Sequence, residues 1–148
     1  MPIKKCRYCN SMILAKGLCK KHYFRKYWKT NRNRLKLKKS LYLKTQFGFL
    51  TKLYKNMKDR VSGTLKNSAH LYKGKPILPK STFYKWAISN PKYIELYNVY
   101  VASGYDRKLA PSIDRINPDK GYTMSNIEWV TNSENCRRAS ITKLRLRG

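Results

Sequence analysis

Residues 111–135 read PSIDRINPDKGYTMSNIEWVTNSEN, and the pattern of this stretch decides the fold. Ile113 and Ile116 mark a short strand that carries one carboxylate, Asp114, on a chain otherwise dominated by cations. Gly121 supplies a tight turn, and Ile127, Trp129 and Val130 mark a second strand. Thr131 and Glu134 have the T-x-x-E spacing of a capping box, which opens a terminal helix at about Asn132. The result is a ββα unit with a carboxylate on its first strand and amides on its helix. Such a unit can hold one hard metal ion against a phosphate, because carboxylate and amide oxygens suit Mg²⁺ or Mn²⁺. Cys136 is expected as a small buried residue of the terminal helix.

Upstream the signals are helical. Phe47, Leu50, Leu53, Tyr54, Met57, Val61 and Leu65 recur at gaps of mostly three and four, which predicts an amphipathic helix over 46–65 with its apolar stripe in the core. Gly74 and Pro76 mark a loop, and Ile77 and Leu78 a short extended piece. Ser81 is placed to cap a helix carrying Phe83, Trp86 and Ile88. Asn90-Pro91 reads as a second start, an N-cap followed by Pro at the first helical position. That helix carries Tyr93, Leu96, Tyr97, Tyr100 and Val101 and stops at Gly104. The tyrosines are expected to pack with their hydroxyls at the surface. No internal repeat is present.

The chain has 148 residues, enough for one ordinary domain or a small core with an appended module. Lys and Arg number 34 against 7 Asp plus Glu, a net charge of +27. The imbalance is steepest at the start, where 18 Lys and Arg precede the first acid, Asp59. Self-repulsion of this size calls for a polyanionic partner, and double-stranded nucleic acid is the expected one. No stretch reaches the ~18 apolar residues of a membrane span, and the N-terminus lacks a signal-peptide core. The expectation is a cytoplasmic protein, without a membrane partner, whose cysteines are reduced thiols or metal ligands.

Cys6, Cys9, Cys19 and His22 have the spacing C-x2-C-x9-C-x2-H. Two tight ligand pairs joined by a short loop match tetrahedral Zn²⁺, and four protein ligands leave no open position, so this zinc is expected to be structural. The domain reading is a zinc module at 1–28, a basic linker or DNA-contact arm at 29–45, and a helical region with the ββα core at 46–148, the core itself at about 110–145. Lys20, Lys21, Arg25 and Lys26 flank the module, and Arg32, Arg34, Lys36, Lys38 and Lys39 continue through the arm. These nine are the expected DNA contacts.

Asp114-Arg115-Ile116, Gly121-Tyr122, Asn126, Trp129-Val130-Thr131 and Glu134-Asn135 together resemble the signature of phage HNH endonucleases, the ββα-metal or His-Me finger family. The resemblance extends more loosely through Tyr54, Met57 and Arg60 and the Phe83/Trp86 helix. It implies an α+β fold: a small N-terminal zinc module, a helical middle and a C-terminal ββα-metal (HNH) core. It further implies a metal-dependent hydrolase of duplex DNA phosphodiesters, of phage or mobile-element origin, a class that includes homing and nicking enzymes. If phage-encoded, it would act in the cytoplasm of a bacterial host.

By the same resemblance Asp114 and Asn135 hold a catalytic Mg²⁺ or Mn²⁺, and Asn126 braces the loop between the strands. Arg115 stands where the family usually has the general-base His, and a guanidinium is no base. Arg115 is left to clamp the scissile phosphate or neutralise charge, and the base is open among His70, Glu134 and a metal-bound hydroxide. The rival reading is a non-catalytic zinc-containing DNA-binding protein that retains the HNH scaffold, and a weaker third is an RNA-binding protein. A monomer is expected.

Overall fold

The computed structural model describes residues 4–145, with side chains described through residue 141. The chain divides into two compact units, Met1–Lys44 and Thr45–Gly148.

The first unit is built on one turn and one helix. Leu18 N–H donates to Ala15 O (2.9 Å) and Ala15 N–H to Leu18 O (3.3 Å), closing a two-residue hairpin. Lys16 and Gly17 at its tip have φ of 50° and 71°, the left-handed pair that a type I′ turn requires. The turn delivers Cys19 to the N-cap of helix α1 (Lys20–Leu43). α1 runs unbroken past residue 28, so His22, an expected zinc ligand, and the basic arm belong to one helix. The reason is composition: Lys, Arg and Leu are strong helix formers, and neither Gly nor Pro interrupts them.

In the second unit, α2 (Gln46–Val61) is capped by Thr45, whose hydroxyl accepts from Gly48 N–H at 3.1 Å. The helix stops at Val61, short of the predicted Leu65, because Gly63 at φ 76° breaks it. A 3-10 turn at Lys66–Ser68 leads into the single turn α3 (Ala69–Tyr72). α4 (Lys80–Ser89) begins one residue before the expected cap: Pro79 occupies the N-cap position, and Ser81 lies inside the first turn. At α5 (Pro91–Ala102) Asn90 Oδ1 accepts from Lys92 and Tyr93 N–H, and Pro91 is the first helical residue.

Strand β1 (Pro111–Arg115) pairs antiparallel with β2 (Ile127–Thr131), with Ile113 opposite Trp129 and Asp114 opposite Glu128. Helix α6 (Asn132–Arg145) follows at once. Alternation along β1 and β2 gives the sheet two unlike faces. Ile113, Ile127 and Trp129 face the core; Trp129 stacks on Trp86 (5.3 Å) and meets Tyr93 (4.6 Å). Ser112 and Asp114 lie on the opposite face, beneath α6. Ile116, beyond the end of β1, is 63% exposed and takes no part in the core.

The tyrosine expectation fails inside this core. The ring of Tyr93 is buried with its hydroxyl, which has no partner among the described residues, and burial pushes that phenol's pKa up. Tyr54 donates to Leu78 O at 3.0 Å, and Tyr122 accepts from Arg60 Nη1 at 3.0 Å. Rings fill much of this interior, and the hydroxyls of Tyr54 and Tyr122, unlike that of Tyr93, meet inner partners.

Gly121 matters for close approach. A Cβ there would meet Pro76 O at 2.2 Å, because residues 76–78 and Tyr122 exchange two backbone hydrogen bonds of 2.8 Å. Gly121→Ala is expected to destabilise the second unit by about 1–3 kcal/mol. The measurement is a lower urea midpoint with an unchanged slope; an unaltered midpoint would show that Pro76 yields freely.

Candidate functional site

The four ligand atoms of Cys6, Cys9, Cys19 and His22 all lie within 4.8 Å of one another and can hold one metal ion such as zinc. Local structure explains the convergence. Cys9 N–H donates to Cys6 O (3.3 Å) and Cys6 N–H to Ser11 O (3.0 Å), folding the first pair into a knuckle. Cys19 and His22 are three residues apart at the start of α1 and therefore share one face. His22 presents Nδ1 to all three sulfurs, at 3.4, 3.6 and 3.4 Å from Cys6, Cys9 and Cys19. Tyr8 packs edge-on against the imidazole at 5.3 Å.

The surroundings favour thiolates unevenly. The Ser11 hydroxyl, then its backbone, draws the Cys9 thiol down to about 7. Burial works against the Cys6 thiolate, but hydrogen bonds from the Cys19 and Tyr8 backbone and from His22 outweigh it and lower its pKa. At Cys19 the His22 backbone favours the thiolate, yet burial and the neighbouring Cys9 and Cys6 prevail and raise it. Three sulfurs this close repel one another as thiolates, and a divalent cation between them removes that repulsion.

The remainder of α1 is cationic. Lys20, Lys21, Arg25, Lys26, Arg32, Arg34, Lys36, Lys38 and Lys39 are all exposed on it, and the helix contains no acid. At 1.5 Å per residue its 24 residues span ~36 Å.

In the second unit α6 lies across the outer face of the sheet. Asn135 Nδ2 donates to Ser112 Oγ (2.7 Å) and Ile113 O (3.2 Å). Arg138, three residues on, donates to Asp114 Oδ2 (3.2 Å). Asn135 and Asp114 thus meet the same face of β1, and Asn135 Oδ1 accepts no hydrogen bond among the described residues. Asp114 Oδ1 accepts from its own neighbour's backbone, Arg115 N–H, at 2.8 Å.

Arg138 is the residue that sequence patterning missed. Asp114 and Glu128 are directly opposed across the two strands, a repulsive pairing. Arg138 resolves it by bonding both, Glu128 Oε1 at 2.5 Å, and by holding Glu134 Oε1 at 2.7 Å through Nε. Hydrogen bonds to Glu134, then Glu128, keep its guanidinium firmly charged. The available signal was the spacing Glu134–Arg138, i to i+4, on a helix already predicted.

Glu134 is bound by Arg137 and Arg138, which pull its carboxyl down to about 2. Its N–H donates to Thr131 Oγ1 at 3.2 Å, so the cap forms, while its carboxylate serves the arginines. A carboxylate so held is a weak base. His70 is exposed on α3, and no hydrogen bond or ion pair among the described residues joins it to Asp114.

Arg115 departs from its expected place at the phosphate. Alternation turns it away from the face of Asp114. Its guanidinium lies 4.1 Å from the Tyr72 ring centroid, with Nη1 donating to Lys120 O at 3.0 Å and Leu71 O at 3.4 Å. It ties α3 to the turn between the strands. Asn126, buried, braces that turn: Oδ1 accepts from Asn117 N–H, and Nδ2 donates to Asn117 O and Gly121 O, at 2.9, 3.0 and 2.8 Å. Cys136 is exposed on α6, against expectation, because Asn135 and Arg138 take the sheet-facing side of the helix.

No family model matches this chain, and neither a curated protein nor a solved structure matches it significantly. No helix among the described residues is long and apolar enough to cross a membrane.

Proposed function

We propose that this chain is a metal-dependent DNA endonuclease of the HNH type, hydrolysing phosphodiesters of duplex DNA, with a structural zinc in its first unit. The observation that carries the reading is the seating of α6 on β1, with Asn135 and the Asp114 carboxylate on one face. Their donor set, one carboxylate and one free amide carbonyl, fits Mg²⁺ or Mn²⁺ and leaves positions for water and phosphate oxygens. Arg138 does not prevent this, because Glu128 and Glu134 retain its guanidinium when Asp114 turns to a cation. When bound, the ion would supply stabilisation of charge on the pentacovalent phosphate and the departing oxygen.

The chain's own residues orient the site. Asn126 fixes the turn between the strands, and Asn135 fixes the strand against the helix. Water activation has no adjacent histidine. With Glu134 a weak base, His70 is the remaining side-chain candidate to take the proton, and a bound ion would otherwise supply the activation. The cations of α1 suit the phosphates of a duplex, whose helical repeat of ~34 Å its length matches.

The Asp114–Arg138 pair and the inward-turned Arg115 favour a second reading, a DNA-binding protein that keeps the scaffold without the chemistry. Supercoiled plasmid separates the two. Nicking or linearisation is expected with Mg²⁺ or Mn²⁺, to stop when the divalent ion is omitted, and to return on adding it back. Purified protein that binds the plasmid yet never cuts it under any of these ions would leave only the second reading.

A further inference from the structure

The second unit contains a cavity of about 490 Å³ between α2, α5, the 3-10 turn Arg107–Leu109 and the start of β1. Lys52, Asn56, Arg60, Arg107, Ser112 and Asn132 give it its polar lining, and no carboxylate lines it. Lys52 and Arg107 are exposed, and neither side chain has a carboxylate or other hydrogen-bond partner among the described residues. The side-chain amides of Asn56 and Asn132 likewise have no hydrogen-bond partner among the described residues. Arg60 is half-buried and positioned by Tyr122, whose hydroxyl it bonds at 3.0 Å. Unpaired cations beside unpaired amides, with one arginine fixed in place, are the donor set of a phosphate site.

The location links the cavity to Asp114. Ser112 lies two residues before Asp114 on β1 and so shares its face, at a separation of ~7 Å along the strand. The hydroxyl of Ser112 also accepts from Asn135 Nδ2 at 2.7 Å. Burial opposes the charge on Arg60, but Tyr122 first, then Tyr72 and Asp114, outweigh it and raise its pKa.

We propose that this cleft receives the phosphodiester backbone of the DNA strand beside the phosphate at Asp114, with Lys52 and Arg107 as its phosphate-binding groups and Arg60 as its fixed floor. It rests on reading Asp114 and Asn135 as the cleavage site, and it assigns the substrate's path to the second unit as well as to α1. The charges of α1 then confer general affinity, and the cleft sets the register of the cut strand.

The test is the double variant Lys52→Ala/Arg107→Ala of the full chain, compared with Lys66→Ala/Lys85→Ala, which removes the same charge from exposed positions outside the cleft. Binding to a short duplex is measured in divalent-free buffer across a salt series. Each lost phosphate contact lowers the slope of log K against log salt by about 0.9. The cleft variant is expected to lose between ~1 and ~2 in slope, with an unchanged melting temperature, and the control pair markedly less.

Equal slopes for the two variants would overturn the proposal. Saturable binding of inorganic phosphate or a 5′-mononucleotide that the cleft variant loses, with its duplex slope unaltered, would overturn the strand as occupant. If the wild-type chain never cuts DNA but the slope still falls, the cleft stands and the nuclease reading fails. If it cuts and the slope is unchanged, the reverse holds.

Discussion

Asp114→Ala is expected to reduce plasmid cleavage by on the order of 10³-fold or more, the scale of losing several kcal/mol of metal-borne transition-state stabilisation. Duplex binding in divalent-free buffer should stay within a few-fold of wild type, or tighten, since a negative charge beside the phosphate path is gone. The fold should survive. Asp114 is one of three carboxylates on Arg138, and Glu128 and Glu134 keep the guanidinium satisfied after its removal. Removal also relieves the direct opposition of Asp114 and Glu128 across the strands.

This makes Asp114→Ala a cleaner probe than Asn135→Ala, which would cut two hydrogen bonds that seat α6 on β1. The readouts are nicking rate with Mg²⁺, duplex affinity without it, and the urea midpoint. Cleavage by Asp114→Ala at the wild-type rate, in protein free of contaminating nuclease, would sink the site assignment. Loss of cleavage together with a collapsed midpoint would assign Asp114 to folding.

The ββα unit was legible because its signals are local. The alternation of β2, the Thr131 cap and the Asn90-Pro91 start each act within a few residues, and each formed where the residues pointed. Strand β1 ended one residue short of Ile116. The Cys/His cluster was legible for the same reason: each ligand pair lies on one turn. What could not be read depends on pairing at a distance. The partner of Asp114 is set by a register that places Glu128 opposite it and by a helix that brings Arg138 over both. The direction of Arg115 follows from alternation, but its destination, the Tyr72 ring, comes from a turn more than forty residues upstream. The cavity cations Lys52 and Arg107 carried no motif at all; only packing of α2 near the start of β1 makes them neighbours.

Metal removal is expected to have the second large effect, confined to the first unit. Among the described residues its buried side chains are Cys6, Leu18 and Cys19, with Cys9, Ile13 and Tyr23 partly covered. Only Leu18 among the fully buried three is a large aliphatic, worth about 1.5–3 kcal/mol. Ordering the backbone costs about 1–2 kcal/mol per residue. Burial alone therefore cannot hold residues 4–24 in place. An isolated helix with the charge density of α1 is marginal as well, because nucleation is costly and its like charges repel. A bound ion would supply the difference. Structural zinc binds with about 10–16 kcal/mol near neutral pH, and in so small a module that binding energy is folding energy.

Purified protein should carry one zinc per chain. A strong chelator, or Cys19→Ser, should abolish the helical circular dichroism of α1 while the second unit, with its own aromatic core, keeps its melting transition. Affinity for duplex DNA should fall at the same time, since the cations of α1 lose their spacing. The nuclease assay must therefore remove Mg²⁺ by omission, because a chelator would disable both metals at once. Protein that holds no metal and shows an intact α1 would refute the structural role of the cluster. Protein that loses zinc, keeps the melting transition of the second unit and still cuts DNA would place the cleavage chemistry wholly in residues 45–148.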